Sequence, residues 1–549
     1  MRIDNLSLEV EPIADSKRLY HGNVDVIGWR TTCVEVRKHG GRLVALWASD
    51  RGESPQAAVG NDRFEIHAAL ALASQLVWIT HRIHGDRYPD VADLFPAATR
   101  MQRAAFDMIG VHADPVSDTR PWLRHGAWPR DRFPLRKDFG AGDSRDARTQ
   151  RPAGAGDHRD ARTERPFGAG DHREFDNLPD NYYFVRVEGD GVHEIPVGPV
   201  HAGTIEPGHF RFSVLGERVL RLEERLGYKH KGIEKRFEQM TLTEGARLAG
   251  RISGDATVSY AWAYAAAVEM ATGCICPPRA SWLRALFLER ERLANHLGDL
   301  GFLGNDAGFA FGFSQFSRLK EDVLRSHADL FGHRYLMDAI VPGGVAHDID
   351  GRGMSRMSAQ CHTLLPAITE LHQIYDDHAG VQDRFNTTGI VTPTLALRLG
   401  LTGLAGRASG QAFDARIQHP PFPYDALDVK LIVHKQGDVA ARVRQRFEEA
   451  VESIRLCEAI IERLPVSPLS VDVPELDRDA IGAGFVESWR GPVFIALEAS
   501  AGNRIHRLHA HDPSWENWPL IEHAVIGNIV PDFPLINKSF NLGYSGHDL

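Results

Sequence analysis

The feature that most constrains this chain is a repeat that has no core to offer. Phe139 to Pro152, with the sequence FGAGDSRDARTQRP, returns as Ala153 to Pro166 with few changes and starts again at Phe167 before breaking off at Glu174. Units of Gly, Asp, Arg and Pro bury too little apolar surface to offset the entropy of ordering a backbone, so the stretch reads as a flexible linker lengthened by duplication. A nucleic-acid-binding arm is the alternative, but the aspartates offset much of the arginine charge. The chain is therefore expected to fold on either side of this segment, and its 549 residues are too many for one ordinary core.

Ahead of the repeat, residues 25–50 alternate, with Val34 and Val36, a His39-Gly40-Gly41 turn, then Leu43, Ala45 and Trp47. That pattern predicts a hairpin. Phe64 to Ile83 is strand-like, and Asp90 to Gly110 reads as a turn and a helix with Met101, Phe106 and Met108 on its apolar face. Residues 1–115 thus read as a small α/β domain, followed by an extended, proline-rich strap at 116–138, the linker at 139–175 and a larger domain at 176–549. The larger domain opens with strand-like Tyr182 to Glu188, a Gly- and Pro-rich loop and a strand at Arg211 to Leu222. Helical patterns follow over residues 244–250, 256–271, 280–303, 318–331, 355–382 and 438–463, before about 70 residues that alternate again. The fold class is α+β, the second domain being a helical bundle with a β portion.

Net charge is −10, which does not favour nucleic acid as a partner. The longest nearly apolar run, Ala68 to Ile79, is interrupted by Ser74 and Gln75 and falls short of the roughly 20 residues that span a bilayer. Met1 to Val10 does not resemble a secretion signal. These readings predict a cytoplasmic chain whose membrane contact is made through partners. Five scattered cysteines argue for free thiols, and the Cys274-Ile275-Cys276 pair lacks the further ligands a metal needs.

No P-loop, Rossmann glycine fingerprint, HExxH or GxSxG is present. Polar residues at element ends remain. Arg251 to Tyr260 leads into the Ala-rich stretch ending at Gly273, predicting a deeply placed helix with Asp255 as its N-cap and its polar end on a cavity. His201 and His209 flank a loop that carries Glu206, and two histidines there can exchange protons near neutrality or simply satisfy turn carbonyls. His506, His509 and His511 read as a solvated strand edge.

Several motifs carry a family resemblance. His201-Ala-Gly-Thr-Ile-Glu-Pro-Gly-His-Phe210, Gly227-Tyr-Lys-His-Lys-Gly-Ile-Glu-Lys235 and Arg251-Ile-Ser-Gly254 resemble the large subunit of membrane-bound energy-converting [NiFe]-hydrogenases of the hydrogenase-4 component G and formate hydrogenlyase type. They are similar also to the quinone-site subunit of complex I, as are Leu288 to Leu297, Val341-Pro-Gly-Gly344, Arg407-Ala-Ser-Gly410 and Trp515-Glu-Asn-Trp-Pro519. Tyr88 to Pro96 and Phe133 to Asp138 resemble the smaller peripheral-arm subunit of complex I.

The resemblance implies a large [NiFe]-hydrogenase-like domain fused to that smaller one, but the four thiolate positions fall on Ser253, Ala256, Gly543 and Gly546. Soft thiolates select such a metal, so no metal ligand is expected in this chain and hydrogen chemistry is not implied. The complex I headgroup tyrosine falls on Gly254, and Tyr260 sits where both families tend to carry His. What the resemblance implies is a subunit of a membrane-associated oxidoreductase complex that binds no cofactor of its own. It would take electrons from an iron–sulfur small subunit, pass them to a quinone-like acceptor and act with antiporter-like membrane subunits, peripheral on the inner face of the cell membrane. His201, His209, Asp255 and Tyr260 are the expected catalytic groups, with Arg251, Ser253 and Gly254 lining the acceptor. The alternative is a structural or regulatory subunit with a vestigial metal cavity.

Overall fold

The computed structural model describes residues 9–14, 16, 18–52, 63–116, 118–139, 182–201 and 205–549, so the duplicated repeat lies outside the described residues. The first region is a five-stranded sheet of β1 (Glu11–Pro12), β2 (Leu19–Val24), β3 (Arg42–Asp50), β4 (Phe64–Ala71) and β5 (Leu76–Ile83) in the order β1-β2-β5-β4-β3. Only β2 and β5 pair in parallel. The crossover includes helix α1 (Val26–Lys38), where a hairpin was expected. Asp25 caps α1 through the Gly28 amide at 2.7 Å, and Trp29, Cys33 and Val36 bury one face at helical spacing. Val34 and Val36 matched a strand pattern, but Trp29 and Cys33 set the true period. Helix α2 (Ala98–Ile109) forms as expected and ends at Gly110 in the left-handed region.

Tyr182 to Glu188 forms no strand, against expectation; β6 (Val192–Val197), β7 (His209–Leu215) and β8 (Arg218–Arg225) make a separate antiparallel sheet. Short α3 (Ile233–Phe237) and α4 (Leu242–Ala249) lead to α5 (Thr257–Thr272). Helix α6 (Pro278–Asp306) packs against α5, α7 (Ala310–Phe331) and α9 (Val439–Arg463) pack on α6, and α8 (Gly351–Asp377) packs on α7 and α9. The closing residues are only half strand-like: β9 (Ala480–Glu487), β10 (Pro492–Ser500) and β11 (Arg504–His511) form an antiparallel sheet, after which α10 (Ser514–Ala524), α11 (Phe533–Phe540) and α12 (Tyr544–Asp548) are helical.

Small side chains on α5 explain its place. A Cβ at Gly484 of β9 would lie 1.9 Å from the Ala263 carbonyl oxygen, and one at Gly482 would lie 2.0 Å from that of Ala267. Helix backbone and strand backbone therefore touch, which only glycine in the strand permits. The first region does not stand apart from the second. Trp47 and Trp78 of the first sheet share a core with Phe485 and Phe494 of the last one. The buried Arg100 of α2 pairs with Glu224 and Glu522. Among the described residues, no helix is long and apolar enough to cross a membrane.

Candidate active site

The N-terminal end of α5 is not capped by Asp255. Ala256 occupies the cap position without a side-chain bond, and the amides of Val258 and Ser259 donate instead to the Glu291 carboxylate of α6, at 2.7 and 3.3 Å. The Ser259 hydroxyl donates to the same carboxylate at 2.8 Å. A carboxylate from the neighbouring helix has taken over the capping role, which frees Asp255 to face elsewhere.

Asp255 pairs with Arg490, whose Nη1 and Nη2 donate to Oδ1 and Oδ2 at 2.9 and 2.5 Å, and it accepts the Ser253 hydroxyl at 2.7 Å. Arg490 follows the end of β9, donates its Nε to the Asn541 carbonyl at 2.5 Å and lies over the Trp489 ring. The Asp255 carbonyl accepts from Trp489 Nε1 at 2.9 Å and Asn295 Nδ2 at 2.8 Å. The end of β9 and helix α6 thus hold one aspartate. Although paired, the Asp255 side chain is 39% exposed, against 6% for Arg490. Gly254 beside it is exposed, with nothing within 4 Å of the place a Cβ would take. The pair therefore reaches the surface beside an exposed glycine.

The inner side is closed. Tyr260 is buried and donates its hydroxyl to Asp512 Oδ2 at 2.6 Å, while the Ser514 amide donates to Asp512 Oδ1 at 2.8 Å. A Cβ at Gly546 would lie 2.2 Å from Asp512 Oδ2 and 2.9 Å from the Tyr260 hydroxyl. The Ser545 hydroxyl donates to the Ile252 carbonyl at 2.8 Å, binding the start of α12 to the entrance of α5. Gly543 and Gly546 thus both lie against Asp512, and the Ser253 hydroxyl lies against Asp255 at the entrance of α5. None of the positions Ser253, Ala256, Gly543 and Gly546 carries a sulfur.

Electrostatics divide these groups. Burial raises the cost of charge at Asp255, but Arg490 and the hydrogen bonds hold its pKa down at about 2. Burial, followed by the Asp512 charge, pushes Tyr260 well above the usual phenol value. Among the described residues Glu291 has no cation to pair with, and burial pushes it up to about 8 against the pull of the two amides and the Ser259 hydroxyl.

Other expected site residues lie elsewhere. Arg251 turns away from Asp255, pairs with Asp338 and donates to the Arg247 carbonyl at 2.9 Å. The histidines close their own loop: His201 Nε2 bonds the Gly208 carbonyl at 2.8 Å and His209 Nδ1 the Gly198 carbonyl at 3.1 Å. Burial lowers His209 to about 4. The loop reaches the site through Glu206 instead, whose carboxylate accepts the Ser545 amide at 3.1 Å. His509 and His511 are not a solvated edge; both are buried and bond Glu234 and Glu516 at 2.7 and 2.8 Å. Arg490, Asp512 and Glu291 were not singled out from the sequence, although Glu291 lies within the motif Leu288 to Leu297.

Comparisons with known proteins agree with this arrangement of regions. Residues 23–145 match the family model for the respiratory-chain NADH dehydrogenase 30 Kd subunit, and residues 306–480 that for the 49 Kd subunit. Formate hydrogenlyase subunit 5 of Escherichia coli (strain K12) is 30% identical over 518 residues, covering 93% of this chain and 85% of the relative. This chain belongs to the same family. It is a fusion of complex I 30 Kd and 49 Kd subunit regions, related to hydrogenase-4 component G, and a subunit of a membrane-bound oxidoreductase complex of this kind. The NADH-quinone oxidoreductase C/D protein of Bacteroides fragilis is 28% identical and covers 77% of each chain. Among solved structures, a chain of the membrane-bound sulfane sulfur reductase, an archaeal respiratory membrane complex, is 25% identical with a TM-score of 0.62, covering 65% of this chain and 99% of that one.

Proposed function

We propose that this family member passes electrons from an iron–sulfur cluster in a partner small subunit to a quinone-like acceptor, without a nickel–iron centre. The single observation that carries this reading is an ion-paired aspartate left 39% exposed beside the open Gly254. Reducing a quinone to a quinol takes two electrons and two protons. Arg490 keeps N–H groups beyond the two that Asp255 takes and the one given to the Asn541 carbonyl, and these can donate to a carbonyl oxygen beside Gly254 while Asp255 fixes the guanidinium. Glu291, with a pKa of about 8, holds a proton behind the helix end at neutral pH.

The same place does not suit a nickel–iron centre. A side chain at Gly546 would collide with Asp512, and Ser, Ala and Gly provide no thiolates, so no step is derived through such a metal. Under this reading the chain sits on the inner face of the cell membrane through antiporter-like membrane subunits, whose ion movement the acceptor chemistry would drive. The closed side, where Asp512 and Tyr260 fill the space, favours a second reading in which the chain is a structural or regulatory subunit.

The test uses the intact complex, isolated gently from membranes through a tag on this chain. Its reduced iron–sulfur cluster is mixed with a short-chain ubiquinone analogue. Rapid reoxidation, slowed at least tenfold by Asp255→Asn, is the expected result. An intact cluster that the quinone analogue leaves reduced would exclude quinone as the acceptor.

A further inference from the structure

A cavity of about 150 Å³ lies in the first region, between α2 and residues 112–120. It shares no lining residue with the entrance of α5. Thr99, Arg103 and Phe106 recur at helical spacing, which puts them on one face of α2 with Gln102 beside them. The two long side chains of that face do not fill the space, because other groups hold them. Gln102 donates to Asp90 Oδ1 at 2.7 Å and accepts the Val91 amide at 3.2 Å. Arg103 donates Nε to the Arg120 carbonyl at 2.7 Å and Nη2 to the Pro121 carbonyl at 3.3 Å. Phe106 leans on His112, with ring centroids 4.2 Å apart, and Ala113 and the exposed Val116 add aliphatic surface.

The charges that border the cavity are balanced without a ligand. Arg103 and Arg120 pair with Asp118 at 3.2 and 2.7 Å, and Arg120 pairs with Glu223 of β8 as well. Burial lowers His112, so its imidazole is neutral at pH 7. A charged ligand would bring an unpaired charge into a partly enclosed site, which costs desolvation energy. What is left for a ligand is ring and aliphatic surface together with the Thr99 and Thr119 hydroxyls, neither of which has a hydrogen-bond partner among the described residues. An apolar cavity of about 150 Å³ takes one benzene-sized ring. A hydroxyl on such a ring both donates and accepts, and a threonine hydroxyl can answer it either way. We propose that this cavity is a binding site for a neutral phenol-class molecule, a single aromatic ring packed beside Phe106 and Val116 with its hydroxyl bonded to Thr99 or Thr119. Phe106 and His112 offer that ring the offset or edge-on contacts that aromatic pairs prefer. Occupancy bears on how the two regions are joined, since Arg103 and Arg120 on the border of the cavity also reach Tyr182 and Glu223.

The test uses both the full chain and the intact complex, with para-fluorophenol as the probe and fluorine NMR line broadening as the readout. Wild type is expected to broaden the line in both preparations, and unlabelled phenol to reverse the broadening. Val116→Trp fills the cavity from an exposed position and is expected to weaken binding roughly tenfold or more. Thr99→Val and Thr119→Val together remove both hydroxyls at nearly constant shape, and the pair is expected to weaken it about fivefold. Para-fluorobenzoate, which is charged, and cyclohexanol, which has no aromatic ring, are expected to compete roughly tenfold less well than phenol. No broadening by wild type, or broadening that Val116→Trp and the double threonine variant both leave unchanged, overturns the site. Equal competition by benzoate or cyclohexanol overturns the class of ligand. Binding by the chain alone that is lost in the intact complex overturns the small-molecule reading, because a partner's side chain then holds the cavity.

Discussion

The entrance of α5 and the loop between His201 and His209 both present titratable groups beside glycine, yet they differ in where their hydrogen bonds go. The loop histidines bond carbonyls seven and eleven residues away in sequence, inside their own turn. Asp255 is held by groups 235, 234 and 40 residues away, from the end of β9 and from α6. A side chain that satisfies its own loop shapes that loop. One fixed by several separate elements and still open to solvent has an orientation and charge that the whole fold maintains, which is the condition for acting on a ligand.

The largest effect that sharpens this contrast is a pH dependence. The Glu291 pKa is raised from 4.5 to about 8 in the fold, so the native state binds the extra proton and stability falls as pH rises between those values. At about 1.4 kcal/mol per unit, the loss approaches roughly 4 kcal/mol by pH 8, and Glu291→Gln is expected to remove that slope in urea unfolding followed from pH 4.5 to 8. A slope identical to wild type would show that Glu291 is ionised throughout.

Arg490→Ala comes next. It leaves Asp255 unpaired and removes the bond to the Asn541 carbonyl. An expected loss of about 3 kcal/mol lies at the low end for a broken buried pair, because Asp255 is partly exposed. Reoxidation of the cluster by the quinone analogue should stop as well. Retained stability and retained reoxidation would make the Asp255–Arg490 pair dispensable and erase the contrast.

Gly546→Ala tests the closed side. With its Cβ 2.2 Å from Asp512, it should cost about 2 kcal/mol through overpacking, read as a shift in the urea midpoint. His201→Gln should have the smallest effect, about 1 kcal/mol or less for one loop hydrogen bond, with reoxidation changed by less than about twofold. A tenfold loss in His201→Gln would instead bring the loop into the site.

Much of the scaffold was legible in the sequence. The alanines between Ala261 and Ala267 predict close approach on α5, and the structure supplies their counterpart in Gly482 and Gly484. The long helices α6, α8 and α9 follow from apolar periodicity over many turns, which local errors do not erase. The segment that became α1 was misread because Val34 and Val36 fit a period of two as well as a helix does. Of the candidate site, Ser253, Gly254, Asp255 and Tyr260 lie at the entrance of α5, whereas Arg251, His201 and His209 take other partners.

The sequence alone determined the order of regions, the deep helix and its polar entrance, because these depend on composition and period along the chain. Only the tertiary structure decided which charges meet there. Arg490 and Asp512 lie more than 230 residues beyond Asp255 and Tyr260, and no local pattern announces a partner at that distance. Burial likewise is a property of the assembled core: it makes Glu291 a proton holder and His509 a neutral base, although an isolated glutamate or histidine would titrate elsewhere.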